Sequence, residues 1–434
     1  MLARRFSRVA IAAAAIGCNA LTGVSDLSTV DDAGAPPVTI DRDAGADVAP
    51  APLTGFRYRR ALALVSDAPA TLVDEPVLVV LPRGFDAGHA QATGADLRFR
   101  MVGGSSDLPH YVEAWPDEGD KLVWVKVPSV PQGASTIHLL YGNAAASAIS
   151  SFEATFPRAL RTAGGGAGNV TATDDLDLDW FELRAGDTLT LPASKLLQIK
   201  ARRVIVAGNV DGVGRGFAGG AGGLGGQGPG GGQALAGSGA GGGGHGGSGG
   251  AGGADQGAGG AAGPVVGTPT GDDIAMGSGG GASPNRAGGA GGGAISIVAW
   301  RATVSGAIRV NGTAGIGGAN GQCGGGGSGG GILVAARDLD MTAAALEANG
   351  GEAGPPLNAA ADGGGGGGGG RIKVRRRASG SYVAPATMTV AFGTASAGLG
   401  PRGAPGNAGT VDVDSSSMLA KGVEVSLGEE EKVE

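Results

Sequence analysis

The chain has 434 residues and a formal net charge of −7, with acidic and basic residues interspersed along its length. This distribution lacks the basic surface that nucleic-acid binding requires, so nucleic acid is not an expected partner. Glycine accounts for 92 residues and aromatic residues for only 4% of the chain, so the length overstates the hydrophobic core that can form. Most of the aromatic residues lie between Phe56 and Phe181, which is where a conventional core is expected.

The first eighteen residues have the order of a secretory signal. Three arginines precede an apolar run from Val9 to Ile16, which is too short to span a bilayer. The run ends in Ala-Ile-Gly-Cys, which resembles a bacterial lipobox. The resemblance implies a lipoprotein signal peptide over 1–18 and a membrane anchor through lipidation of Cys18; an ordinary cleaved signal with an incidental cysteine is the alternative. Asn19 follows the cysteine where aspartate would retain such a protein at the inner membrane, so the resemblance favours the outer membrane of the cell envelope.

Residues 19–54 are rich in Ala, Asp, Pro and Gly and carry almost no side chains that fill a core. This composition predicts a disordered tether. A tether would hold the following residues away from a lipid surface, so the function is expected in the body of the chain beyond residue 54.

Short alternating runs between turn residues predict a small antiparallel β-sandwich over 55–150. The predicted strands are 58–65, 77–81, 96–101, 111–115, 121–127 and 135–141. Three histidines in this region, His89, His110 and His138, lack ligand-like spacing, so they are interpreted as ordinary surface or half-buried residues and no metal site is predicted.

The same region carries a family resemblance. Its ordered segments YRR (58–60), DEPVLV (74–79), GADLRF (94–99), LPHYVE (108–113), VWVKVP (123–128) and LYGN (140–143) resemble the bacterial family catalogued as domain of unknown function 2341. The resemblance implies an exported, modular, β-rich protein without an assigned activity.

Four aromatic residues of this region are candidates for carbohydrate binding: Tyr111, Trp115, Trp124 and Tyr141. They could form a stacking platform for sugar rings, with Asp96, Glu113 and Asp117 accepting hydrogen bonds from hydroxyls. The favoured interpretation is that these aromatics are the core and edge of the sandwich, because a small domain can hardly leave its few large residues exposed.

The connecting segment 151–186 contains three carboxylates at alternate positions, Asp175, Asp177 and Asp179. Such spacing is found at the start of a calcium loop, but the glycine that should follow is replaced by Trp180. Alternating Asp and Leu is also typical of a strand with one wet face, which is the favoured interpretation.

Residues 187–415 are predicted to be a glycine-rich β-repeat region. Apolar strand pairs end in Asp-Gly or Asn-Gly at 211–212, 311–312 and 349–350, and the last two lie about 38 residues apart. This period is typical of stacked units, so a β-solenoid or a stack of hairpins is expected. The dipeptides predict tight reversals with positive φ.

The glycine tracts between these strands leave two possibilities open. Ordering dozens of glycines costs much conformational entropy, so the tracts should stay mobile unless they pack as extended helices with three residues per turn. The tract 219–227 has the period that such helices need. Collagen is excluded because the glycine period is not kept, and a phosphate-binding loop is excluded because no Gly-Lys-Ser/Thr follows a tract.

Three remaining features have both a structural and a functional interpretation. The basic run 371–377 is interpreted as a strand with a charged edge that prevents pairing between chains, rather than as a site for anionic polysaccharide. Cys323 is interpreted as an unpaired thiol rather than a nucleophile. The end of the chain, 416–434, is predicted to be a solvated acidic tail.

No set of residues in the sequence has the arrangement that catalysis requires, and no cofactor is predicted. The favoured hypothesis is a non-enzymatic cell-envelope lipoprotein in adhesion, matrix contact or carbohydrate binding, with extracellular polysaccharide or matrix as candidate partners. Two alternatives stay open: a polysaccharide-active enzyme on a β-solenoid scaffold, and a purely structural surface spacer.

Overall fold

The computed structural model describes residues 55–85, 89–254, 257–318, 322–358, 361–396, 401–414 and 422–433. The predictions for the signal peptide 1–18, for Cys18 and for the tether 19–54 lie outside these residues. The described residues form a mainly-β fold, which confirms the predicted class. No helix among them has the length and apolar character of a membrane span.

The first part of the described chain is an antiparallel sandwich. Its elements are β1 (Tyr58–Ser66), β2 (Leu72–Leu81), β3 (Arg98–Met101), β4 (His110–Ala114), β5 (Lys121–Val130), β6 (Gly133–Tyr141) and the short helix α1 (Phe152–Thr155). In one sheet β5 lies between β2 and β4, and in the other β6 lies between β1 and β3. Alternate apolar residues such as Leu62 and Leu64 of β1 are fully buried, because period-2 side chains of both sheets point into one shared core.

The second part consists of parallel strands. They are β7 (Ala159–Arg161), β8 (Val170–Thr171), β9 (Leu176–Asp177), β10 (Trp180–Leu183), β11 (Thr188–Thr190), β12 (Leu196–Val206), β13 (Asn209–Asp211), β14 (Ala294–Val304), β15 (Ala307–Arg309), β16 (Gly331–Asp340), β17 (Ala345–Glu347), β18 (Arg371–Arg376), β19 (Tyr382–Val383), β20 (Thr387–Thr389) and β21 (Thr410–Asp414). One sheet has the order β21-β18-β16-β14-β12-β10-β7, with β9 beside β12 and β19 beside β16; the other has the order β20-β17-β15-β13-β11-β8.

In successive coils, the strand register places similar residues directly above one another. Leu197, Ile295, Ile332 and Ile372 occupy one level of β12, β14, β16 and β18, and all four are fully buried. Every pair in these two sheets is parallel, which a stack of hairpins cannot produce. Of the two predicted architectures, the structure therefore has the β-solenoid, in which each coil covers the apolar face of the next.

The prediction of tight reversals at the Asp-Gly and Asn-Gly dipeptides is wrong. Gly212, Gly312 and Gly350 are not among the glycines with positive φ. The chain instead runs on from each strand into a glycine tract. A Cβ atom on Gly312 would lie 2.2 Å from the carbonyl oxygen of Gly327, so this position requires glycine because of a close approach between two tracts.

The glycine tracts are ordered by hydrogen bonds between their backbones. In the tract 363–370, every third N–H group donates to the same neighbour: one set to the tract 401–407, another to 240–243 and a third to 348–351. The first set joins Gly363, Gly366 and Gly369 to the carbonyl oxygens of Pro401, Ala404 and Asn407. This period is that of a three-residue helix with neighbours on several sides. Of the two possibilities left open by the sequence, the tracts therefore have the second: they pack as extended helices with three residues per turn.

His245 lies inside this glycine packing and is 1% exposed. Its Nδ1–H group donates to the carbonyl oxygen of Gly329 over 3.0 Å. Burial lowers the pKa of this imidazole to about 4. The unfolded chain binds a proton at a pH near 6.5, whereas the folded chain does so only near 4, so the neutral ring stabilises the fold at neutral pH.

We expect this contribution to be complete above pH 6.5 and to be lost as the pH falls from 6.5 to about 4, with a total of about 3 kcal/mol. A His245→Asn variant retains an N–H donor for Gly329 and removes the titrating ring. The free energy of urea unfolding, measured at pH 7 and pH 4.5, should fall less in this variant than in the wild type. His110 also has a pKa lowered to about 4 by burial. His110→Asn is therefore the matched comparison, and its pH dependence of unfolding should be reduced in the same direction. An unchanged pH dependence in His245→Asn would contradict the assignment.

The basic run 371–377 forms a strand over Arg371–Arg376, as predicted, but the predicted charged edge is wrong. The strand β18 is paired on both sides, by β16 and β21, so it is not an edge. Arg371, Lys373 and Arg375 are 2%, 0% and 2% exposed, because the loop 266–273 covers them. The Nζ atom of Lys373 lies 2.7 Å from Oδ1 of Asp273, and Nε of Arg375 lies 2.7 Å from Oδ1 of Asp272. These cations are held inside the protein and are not presented to a polysaccharide.

The prediction of a solvated acidic tail is also wrong for the part of 416–434 that the structure describes. Residues Val423–Lys432 form strand β22, which pairs antiparallel with β1 of the sandwich. Val423 is buried, and Val425 and Leu427 pack against the sandwich core. The apolar residues alternate with Glu424 and Ser426, which is the pattern of an edge strand with one dry face. The first and last described strands of the chain thus share one sheet.

An aromatic cluster joins the sandwich to the solenoid. Trp124 of β5, Phe156, Trp180 of β10 and Trp300 of β14 are buried together. Two largely buried ion pairs lie across the same junction: Glu75 with Arg202 and Glu113 with Arg203. Both glutamates belong to the sandwich and both arginines to the solenoid, so each ion pair joins the two parts.

Candidate binding pocket

Two of the four predicted sugar-stacking residues lie in the joining aromatic cluster. Trp124 is fully buried, and its Nε1–H group donates to Oε2 of Glu113 over 2.7 Å. Tyr111 is half-buried and contacts Phe156 and Trp180 edge to face. Both side chains are used in packing the sandwich onto the solenoid.

The other two lie in and around the sandwich core. Trp115 is half-buried and packs against this core, with the Nζ atom of Lys121 5.4 Å from its ring centre. Tyr141 is fully buried. Its hydroxyl group donates to Oε2 of Glu430 and accepts a hydrogen bond from Nε of Arg60 over 3.0 Å. The four side chains pack in or against the cores, as the favoured interpretation predicted, and the alternative of one shared stacking platform is wrong because they do not meet on an exposed surface.

A cavity of about 510 Å³ opens close to Tyr141, at the end of the sandwich where β1 begins and β6 ends. Its polar and aromatic lining comprises Arg57, Tyr58, His89, Gln91, Asp96 and Asn143. These residues come from the approach to β1, from the segment before β3 and from the turn after β6. The antiparallel pairing of β1 and β6, which sets Tyr58 opposite Tyr141, brings the first and last of these segments together.

Asp96 shapes this cavity from beneath. The residue is fully buried, and its carboxylate accepts hydrogen bonds from the backbone N–H groups of Gln91 (2.9 Å), Gly142 (2.7 Å) and Asn143 (3.1 Å). The side-chain amide of Gln91 in turn donates to the carbonyl oxygens of Asn143 and Ala146. Asp96 therefore ties the two loops together and acts as a positioning residue for the cavity.

The wall of the cavity is an aromatic pair. The rings of Tyr58 and His89 are stacked, with centres 4.0 Å apart and planes inclined by 15°. Nδ1 of His89 lies 3.1 Å from Oε1 of Glu430 in β22. A carboxylate can only accept, so Nδ1 carries the hydrogen, and Nε2 is the ring nitrogen that remains for a ligand.

Glu430 is a shared anchor behind this wall. Besides His89, its carboxylate accepts the hydroxyl of Tyr141 and lies 3.6 Å from Nη2 of Arg60. Burial opposes the charge, but the hydrogen bonds from Tyr141 and His89 outweigh it and lower the pKa of this carboxyl group. Burial, together with the same hydrogen bond, raises the pKa of Tyr141 to about 12. Glu430 therefore stays ionised and Tyr141 stays protonated at neutral pH.

Sequence reasoning missed most of this pocket. It placed Tyr141 and Asp96 in one candidate set but assigned no binding role to Tyr58 or Arg57, and it interpreted His89 as an ordinary surface or half-buried residue. Glu430 was assigned to a solvated tail. Tyr58 and Glu430 are separated by most of the chain, and no local pattern indicates that their strands are neighbours.

Other predicted or excluded sites have clear structural partners. Across the described ranges, no group of three or more His, Cys, Asp or Glu side chains is placed to hold a metal ion. In the Asp-Leu run, Asp175 accepts from the N–H of Gln198, and Asp179 accepts from Arg158, so these carboxylates are used in joining coils. Cys323 is a buried thiol, and burial raises its pKa.

Comparison with known families bears on the sandwich. Residues 93–158 match the family described as Domain of unknown function (DUF2341). The DUF2341 stretch includes β3 to β6 and α1, and it contributes Asp96 and Asn143 to the pocket. Tyr58, His89 and Glu430 lie outside it. No curated protein and no solved structure matches the chain.

Proposed function

We propose that the chain is a non-enzymatic lipoprotein of the bacterial cell envelope that binds carbohydrate in the pocket at the end of its sandwich. In this proposal Cys18 carries the lipid anchor at the outer membrane, and the glycine-packed solenoid is a rigid support that presents the pocket for adhesion or matrix contact. The observation that carries the proposal is the stacked pair of Tyr58 and His89 beside a polar cavity of about 510 Å³.

The chemistry of the lining suits a sugar. A pyranose ring has an apolar face that packs on aromatic rings and an edge of hydroxyl groups that needs donors and acceptors. Tyr58 and His89 provide the aromatic surface, while Arg57 and the amide of Asn143 provide donors and Nε2 of His89 provides a further polar atom. The backbone bonds to Asp96 hold these groups in place before a ligand arrives, which lowers the entropic cost of binding.

The state of the carboxylates argues for binding rather than hydrolysis. Glycoside hydrolysis uses two carboxyl groups that face the substrate, one of them protonated through a raised pKa. Here Asp96 is occupied by three backbone N–H groups, and Glu430 has a lowered pKa and three side-chain partners. Neither group is poised to donate a proton.

The anchoring part of the proposal is tested by replacing Cys18 with serine. We expect metabolic labelling with a fatty-acid probe to mark the wild type and to fall to background in Cys18→Ser, because serine has no thiol for lipid transfer. Cys323→Ser is the matched control and should label like the wild type, since that thiol is buried. Equal labelling of wild type and Cys18→Ser would overturn the anchoring proposal. Sucrose-density fractionation of the labelled cells then distinguishes the outer from the inner membrane.

The binding part is tested with residues 19–434, which is the chain without its proposed signal and anchor. A fragment that ends near residue 150 is unsuitable, because it lacks β22 and with it Glu430. We expect this chain to bind a subset of a glycan array and to release no reducing ends from those glycans. Loss of binding in His89→Ala, with unchanged thermal unfolding, places the site at the stacked pair. Binding that survives this change, or no binding to any glycan, would overturn the proposal.

A further inference from the structure

The arginines near the pocket differ in whether they form ion pairs with carboxylates. Arg59 pairs with Glu431, and Arg60 pairs with Glu430 and Tyr141. Arg57 lines the cavity and is exposed, and its guanidinium forms no ion pair with any carboxylate of the described ranges. Of the three arginines at the start of this sheet, Arg57 is thus the one whose charge faces the opening without a counter-charge from those residues.

The backbone of Arg57 is held firmly although its side chain is exposed. Its N–H group donates to the carbonyl oxygen of Tyr141 over 3.2 Å, and its carbonyl oxygen accepts from the N–H group of Val433 over 2.8 Å. Strand β6 and the residue that follows β22 therefore fix the origin of this side chain on both sides. A long cation on a fixed stem loses little backbone entropy when it binds an anion.

The remaining free polar groups of the lining are mostly donors. Oδ1 of Asn143 accepts from the N–H group of Ala145, so the NH₂ group of the same amide is what remains for a ligand. The carboxylates nearby are unavailable, since Asp96 and Glu430 are bonded as described above. A ligand that supplies acceptors, and above all a negative charge, matches this set.

We infer that the saccharide bound here carries a carboxylate, as a uronic acid does, and that the guanidinium of Arg57 receives it; this inference rests on the proposed function. A uronate has a ring face for the stacked pair of Tyr58 and His89, a planar carboxylate for the guanidinium and hydroxyl groups for Nε2 of His89. The guanidinium fork fits a carboxylate with two parallel hydrogen bonds. Recognition of the charge at one end and of the ring at the other sets the orientation of the sugar.

The experiment compares acidic oligosaccharides with their neutral counterparts on the same chain, residues 19–434. The probes are oligogalacturonate, alginate oligomers and hyaluronan oligomers, each paired with its carboxyl-reduced form, in isothermal titration calorimetry. We expect at least one acidic probe to bind and its reduced form to bind about 10- to 100-fold more weakly, the range for a hydrogen-bonded charge pair. Raising the salt concentration should weaken binding of the acidic probe and leave that of the neutral probe unchanged.

Arg57→Gln should remove this preference, so that the acidic probe binds no more tightly than its carboxyl-reduced form. Arg57→Lys should retain part of the preference, because lysine keeps the charge and loses the fork. Arg83→Gln is the matched control, since Arg83 is an exposed arginine of the same sandwich that pairs with Glu118; its affinities should equal those of the wild type. The thermal unfolding of each variant is compared with that of the wild type, and an equal midpoint would show that the sandwich is intact.

The outcomes separate this inference from the proposed function. Binding of neutral glycans without any preference for a carboxylate overturns the inference and leaves carbohydrate binding in place. A preference for acidic sugars that persists in Arg57→Gln overturns the role of Arg57. Binding of no probe here and of no glycan on the array overturns both.

Discussion

Replacing Gly242 with alanine should cost about 3 kcal/mol of folding free energy, the upper end of what overpacking a rigid core costs. A Cβ atom at this position would lie 2.0 Å from the carbonyl oxygen of Gly366. Backbone atoms on the facing tract cannot turn aside as a side chain can. The two tracts must separate, and the hydrogen bonds that each makes to its other neighbours are strained as well.

Gly225→Ala is the matched control within the same packing. Its Cβ atom would lie 3.3 Å from the carbonyl oxygen of Gly232 and 3.4 Å from the flexible side chain of Gln233. We expect a change within about 1 kcal/mol, since restricting the unfolded chain offsets part of the crowding. The free energy of urea unfolding measures both variants. Equal losses at the two positions would show that contact between tracts does not govern the stability of this region.

A chain that ends at Asp414 should lose the fold of its sandwich while the solenoid core remains. Truncation removes β22, and with it the buried Val423 and the partly buried Val425 and Leu427. Their apolar contacts alone contribute about 4 kcal/mol, which is a large share of the roughly 5 to 15 kcal/mol by which a folded domain is stable. Strand β1 also loses its backbone partner along most of its length.

Hydrogen exchange read by mass spectrometry locates this loss. Amides of Tyr58–Ser66 should exchange at the rate of an open segment in the truncated chain, whereas those of Leu196–Val206 in the solenoid should stay protected. Glu431→Gln serves as the control, because the pair of Glu431 with Arg59 is exposed on the glutamate side and surface pairs contribute little. If the amides of β1 remain protected after truncation, β22 is not an integral part of the sandwich.

Much of the secondary structure could be predicted from local patterns. The alternation in Leu196–Val206 marks a strand with one buried face, and the structure has β12 over those residues. The run of short strands between 58 and 141 predicted a sandwich in the same way. These features depend on side chains two residues apart, so they can be read without knowing which strands become neighbours.

Strand β18 shows the limit of prediction from local patterns. Arg371, Lys373 and Arg375 alternate with Ile372 and Val374, a pattern that correctly indicates a strand with one apolar face. What covers the charged face is a loop about 100 residues earlier in the chain. The composition of that face predicted a solvated edge. Contacts with Asp272 and Asp273 bury it as a set of ion pairs.

The pocket depends even more on distant segments. Tyr58 and His89 form its wall only because Glu430, from the last described strand, holds the imidazole. An acidic run at the end of a chain ordinarily indicates solvated residues, and its alternation with Val and Leu was the one available signal of a strand. Local sequence indicates neither the stacking of Tyr58 on His89 nor the lack of an ion-pair partner for Arg57 among the described residues.

The sequence by itself determined the mainly-β class, the position of several strands and the three-residue period that lets glycine tracts pack. Tertiary structure alone decided that those tracts are ordered, that the strands stack in parallel and that both ends of the described chain build one pocket. The physical reason is that periodicity is a property of neighbours along the chain, whereas a backbone hydrogen bond to another tract or an ion pair to another coil requires a partner that the fold itself must deliver.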